Sequence, residues 1–124
     1  MAKPLNHPAP EALDLSAVLE ALSDPLRRAI LSRLAEKGEA RCSTFIEAHG
    51  VTKTNLSYHI NRLRDAGLVL MRAEGAYRFV SLRREPVDAR FPCLLDAVLL
   101  AARAEPPVVL CPAYIAEEPV SEQA

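Results

Sequence analysis

Residues 52–62 run Thr52-Lys53-Thr54-Asn55-Leu56-Ser57-Tyr58-His59-Ile60-Asn61-Arg62. Leave out Leu56 and Ile60, and every remaining side chain can donate a hydrogen bond. The first acid downstream is Asp65. A solvated helix face ordinarily mixes Glu with Lys. Donors without acids suit a polyanion that brings its own acceptors, as DNA does on its phosphates and base edges. Thr52, Lys53, Thr54, Asn55, Ser57, Tyr58, His59 and Arg62 are therefore the candidate DNA-binding residues here, on a helix expected to enter a groove.

Three thiols form a second candidate set, Cys42, Cys93 and Cys111. Cys42 follows Arg41 at one expected helix start, and Cys93 falls in the first turn of another. Nearby cations and the positive helix end both favour a thiolate. A soft ion such as arsenite, or oxidation, would use two or three of these thiols if the fold unites them. Otherwise each is a small buried hydrophobe. A thiol-bound metalloid is thus the one cofactor the residues suggest, and no other is expected. Catalysis is not expected either. No Ser/His/Asp set, paired carboxylates or phosphate loop is present, and Ser57 and His59, two apart on a helix, do not face each other.

The elements that must hold these residues follow from periodicity. Leu56, Ile60 and Leu63 recur at helical spacing, with Thr52 as an N-cap and Gly67 as a left-handed stop. Ser43–His49 forms a shorter helix ended by Gly50, so the pair reads as a helix-turn-helix. Upstream, Leu13, Val18, Leu19 and Leu22 mark a first helix within Glu11–Ser23. Asp24-Pro25 restarts the chain into a second helix reaching Lys37, with Gly38 as its stop. Arg27, Arg28 and Arg33 lie off its apolar stripe, where they either approach phosphates or are simply solvated. After Gly67, the runs 68–72 and 77–82 flank Gly75 and predict a β-hairpin wing, whose Arg72 and Arg78 complete the candidate DNA contacts. Arg83–Phe91 reads as a connector. Cys93 to about Glu105 reads as a last helix led by Pro92.

The expected class is therefore mainly α with a small hairpin wing (α+β), a winged helix-turn-helix of order α-α-α-α-β-β-α. It divides into a disordered arm (1–10, with a solvated His7), a DNA-binding and dimerisation domain (11–105) and a C-terminal extension (106–124), packed at first and then disordered. The first and last helices carry more apolar surface than one small core needs, so a homodimer pairing through them is expected. Charge agrees with a DNA-reading centre. Residues 25–84 hold twelve Lys/Arg against five Asp/Glu, a net of +7, between ends of −3 and −5. No apolar run is long enough for a membrane span and no signal-peptide pattern opens the chain, so no membrane partner is expected and the compartment is read as cytoplasmic.

Three stretches, Ala21–Leu31 (ALSDPLRRAIL), Val51–Ile60 (VTKTNLSYHI) and Leu63–Val69 (LRDAGLV), resemble the signatures of ArsR/SmtB-type winged-helix repressors, in that family's order. The resemblance spans about residues 13–100. It implies a dimer that binds an operator in double-stranded DNA and releases it on meeting an inducer, here unknown, with thiol modification and a small organic ligand or partner both open as the trigger. Lys53 and Tyr58 are less usual choices at their positions. The family's metal sites have no counterpart: Gly38–Ser43 carries one thiol where a Cys-x-Cys pair would stand, and no histidine follows His59. The competing reading is a winged helix used only for protein–protein interaction, against which the acid-free helix face argues.

Overall fold

In the computed structural model, described for residues 3–4 and 7–109, six helices surround a small antiparallel sheet. The strands are β1 (Lys3–Pro4), β2 (Glu39–Arg41), β3 (Val69–Glu74) and β4 (Tyr77–Leu82), in the order β1-β3-β4-β2. The helices are α1 (Leu15–Leu22), α2 (Pro25–Lys37), α3 (Cys42–His49), α4 (Lys53–Asp65), α5 (Arg84–Arg90) and α6 (Leu94–Ala102). The winged helix-turn-helix expectation holds.

Local chemistry sets the boundaries. Asp14 and Asp24 cap α1 and α2 by accepting from the N–H groups of Ala17 and Arg27 at 3.0 Å, and Pro25 opens α2. Thr52 does the same for α4 through the N–H of Asn55. At the other end of α4, the N–H of Leu68 bonds to the carbonyl of Leu63 and that of Gly67 to Arg64. This is a Schellman closure with Gly67 at φ 88°. It turns the chain into β3. The predicted stripe of Leu56, Ile60 and Leu63 is buried to within 2 % of complete and joins Leu26, Ile30, Phe45 and Val80 in one core. Burying each such side chain contributes about 1.5–3 kcal/mol. In the wing, Glu74 pairs with Tyr77 across a two-residue turn.

Four expectations are corrected. The arm is not wholly disordered: β1 pairs with β3 (Lys3 with Ala73, Pro4 with Arg72), and His7 accepts from the N–H of Met71 at 2.8 Å through Nε2. Glu39–Arg41 is a third wing strand, pairing Glu39 with Ser81 and Arg41 with Phe79. The connector holds a helix, α5, anchored by Val87, which is fully buried. Its Pro86 is tolerated because first-turn N–H groups have no helical acceptor. Last, α6 begins at Leu94, not Cys93. Of the C-terminal extension, Val108 packs on the core; Cys111 and everything else beyond Val109 lie outside the described residues.

Candidate nucleic-acid interface

On α4, side chains separate as the spacing predicts for all but two residues. Lys53, Thr54, Asn55, Ser57, Tyr58 and Asn61 are exposed, Tyr58 by 56 %. Thr52 is exposed too, with its hydroxyl engaged as the N-cap. His59 is the first departure. It turns inward, with Nδ1 3.1 Å from Arg27 Nη1 and 3.9 Å from Asp24 Oδ2, its ring set edge-on to Tyr58. It is a buried brace between α4 and α2, and is corrected as a free DNA contact. Arg62 is the second departure, since its guanidinium pairs with Glu20 of α1 at 2.5 Å.

The same inward use removes Arg27 and Arg28 from the phosphate-facing set. Arg27 is buried, and its Nε donates to the carbonyl of Ala21 at 2.7 Å and its Nη2 to that of Glu20. Arg28 donates to the carbonyl of Leu22 and pairs with Glu105 beyond α6. Two guanidinia of α2 thus supply donors to the last carbonyls of α1, those of Ala21 and Leu22 above all, while that of Glu20 also accepts from the N–H and hydroxyl of Ser23.

On the wing, Arg72 and Arg78 part ways. Arg72 lies over the Phe79 ring and makes a two-pronged pair with Glu39 plus a further pair with Glu74. Those carboxylates raise its pKa and neutralise it locally, so Arg72 is a structural clamp between β3 and β2, not the expected phosphate contact. Arg78 is exposed at the hairpin tip and has no ion pair among the described residues. It faces α4 across a groove of about 590 Å³ whose walls include Arg41, Cys42, Lys53, Ser57, Asn61 and Met71. The sequence singled out Arg41 only as a neighbour of Cys42; in the fold it stacks on Tyr77 at 4.5 Å and becomes part of this cationic surface.

Of the three thiols, Cys42 and Cys93 fall among the described residues. Cys42, half-buried at the start of α3, has its pKa pushed up by burial, which outweighs the opposing pull of Arg78. The expectation of an activated thiolate there is overturned. Cys93 is exposed and is the N-cap of α6, at φ 68°, instead of a first-turn residue. No group of three or more His, Cys, Asp or Glu placed to hold a metal occurs among the described residues.

Burial also fixes a pH response. It holds the His59 imidazole below its ordinary 6.5, with Asp24 opposing the shift and Arg27 adding to it. Between that lowered value and 6.5 the unfolded chain binds the extra proton, so stability rises with pH through this window and falls on acidification. His59→Gln should flatten that part of the profile in urea midpoints taken across and below the ordinary imidazole range. An unchanged profile would mean that other groups carry the dependence.

The helix-turn-helix domain family matches residues 22–72. An uncharacterised HTH-type transcriptional regulator of Bacillus subtilis, YceK, is 35 % identical over 65 % of this chain and 82 % of its own length. The arsenical resistance operon repressor of the same organism is 32 % identical over 56 % of this chain and 66 % of its own. The crystal structure of an ArsR family transcriptional regulator, RHA00566, superposes with a TM-score of 0.58 at 30 % identity, covering 70 % of this chain and 94 % of that one. No helix among the described residues is long and apolar enough to cross a membrane.

Proposed function

The chain belongs to the ArsR family of winged helix-turn-helix transcriptional regulators and is a DNA-binding repressor, and on that premise we propose that it reads its operator as a homodimer. In this reading α4 enters the major groove, while Arg78 of each wing grips the flanking backbone. One observation carries it: the outward face of α4 offers Lys53, Thr54, Asn55, Ser57, Tyr58 and Asn61 with no acid before Asp65. Lys53 and Arg78 remain as cations unpaired with any carboxylate among the described residues, whereas Arg62 and Arg72 are already engaged. The work is binding, not catalysis, and its place is the cytoplasm, with the DNA.

Support for the dimer comes from α1 and α6. Leu15 and Leu19 are each 47 % exposed, and Leu19 lines a shallow cleft with Val98 and Ala101 of α6. A second copy packed two-fold on this face would cover it and set two α4 helices on half-sites about one DNA turn apart. Sedimentation should give twice the 13.6 kDa of one chain.

The test is binding to DNA upstream of the chain's own gene across a salt series. Lys53→Ala and Arg78→Ala should each weaken binding roughly tenfold and lower the salt slope by about one, as loss of a phosphate contact does. Both variants binding like the wild type would overturn the assigned face. No specific binding by the wild type would favour a protein–protein interaction module instead.

A further inference from the structure

The groove between α4 and the wing has a composition that DNA contact alone does not require. Its floor is apolar, made by Ile46, Leu56 and Met71, with the last two buried. Its rim carries Arg41, Lys53 and Arg78, and no acidic residue lines it. A phosphodiester gains nothing from an apolar floor. A neutral apolar molecule would leave three cations on the rim without a counter-charge. At about 590 Å³ the space falls within the range of small-molecule sites.

We propose that this groove binds a small amphipathic anion, an acidic group on an apolar body, and that the bound anion competes with DNA. The apolar body lies on Ile46, Leu56 and Met71, and the acidic group sits among Arg41, Lys53 and Arg78. Lys53 and Arg78 are also the cations assigned to the operator, so occupancy releases DNA by direct competition and needs no movement of the fold. The competition rests on the repressor reading; the binding site does not. Cys42, in the groove wall, supplies a reporter.

The experiment uses the full chain carrying Cys93→Ser and Cys111→Ser, with two fluorescent probes that differ by one sulfonate. They are 8-anilinonaphthalene-1-sulfonate and the neutral N-phenyl-1-naphthylamine. The sulfonate should bind about tenfold more tightly than the neutral probe, slow alkylation of Cys42 by N-ethylmaleimide, and displace bound DNA. Adding Lys53→Ala and Arg78→Ala together should abolish the preference while the neutral probe binds as before, a sign that the fold is intact. Equal affinity for the two probes, a preference that survives in the double variant, or unslowed alkylation of Cys42 would each overturn the site. Displacement of the sulfonate by equal concentrations of inorganic pyrophosphate would also overturn it, because the apolar floor would then contribute nothing. Probe binding is read without DNA. Failure of DNA binding alone therefore counts against the repressor reading and leaves the site standing.

Discussion

Replacing Arg27 by Met is expected to destabilise the fold by about 3 kcal/mol, the sum of two lost charge-assisted hydrogen bonds and the buried Ala21 carbonyl left without its donor. Arg27 is 5 % exposed, so water does not replace what its guanidinium provides. Nε serves the carbonyl of Ala21, Nη2 that of Glu20, and Nη1 faces His59 Nδ1 on α4. Its charge is balanced chiefly by the negative end of α1, since the Glu20 carboxylate lies 3.7 Å away and is half exposed. The substitution keeps the volume and removes the fork. At roughly 4 °C per kcal/mol for a chain of this size, the melting temperature should fall by about 12 °C. Arg27→Lys should recover only part, because an ammonium cannot span three acceptors on two helices. A melting point within 3 °C of the wild type, less than about 1 kcal/mol, would show that the bracket is dispensable.

Arg27 also marks where local pattern stops being informative. Thr52, Gly67 and the stripe of Leu56, Ile60 and Leu63 located α4 from sequence because caps and helical period act within a few residues. The acid-free face was legible for the same reason. Periodicity sorts apolar from polar, but it does not tell which polar side chains turn inward. His59 and Arg27 are buried together by a contact 32 residues apart in sequence. Arg72 was expected on phosphate; what claims it is Glu39, 33 residues earlier, on a strand too short to show alternation. Helix α5 has one buried apolar residue and hence no period to read. Cys93 was placed in a helix by Pro92, whereas the chain passes through a left-handed residue before α6 begins. The elements were legible where the signal is local, and the ion pairs that decide which cations remain for DNA were not.

Gly67→Ala tests the joint between reading helix and wing, and about 3 kcal/mol of destabilisation is expected from left-handed strain plus overpacking. Two costs add. Gly67 sits at φ 88°, where an L side chain is strained by about 1–2 kcal/mol. An added Cβ would also lie 2.0 Å from Leu13 Cδ2, and Leu13, 2 % exposed, has no solvent to retreat into. Gly38 separates the two effects: it ends α2 at φ 87° with nothing within 4 Å of its would-be Cβ. Gly38→Ala should therefore show a backbone cost without a steric contact, and because its ψ of −62° lies outside the left-handed helical well, any excess at Gly67 is a lower bound on the Leu13 contact. Shortening Leu13 should return that excess. In a double-mutant cycle, Leu13→Ala with Gly67→Ala should cost less than the sum of the single changes, a favourable coupling of about 1 kcal/mol or more. If Gly67→Ala costs no more than Gly38→Ala, and the cycle is additive, Leu13 does not lock the turn. The orientation of the wing toward α4 must then be set by the Arg72–Glu39 clamp and the sheet alone.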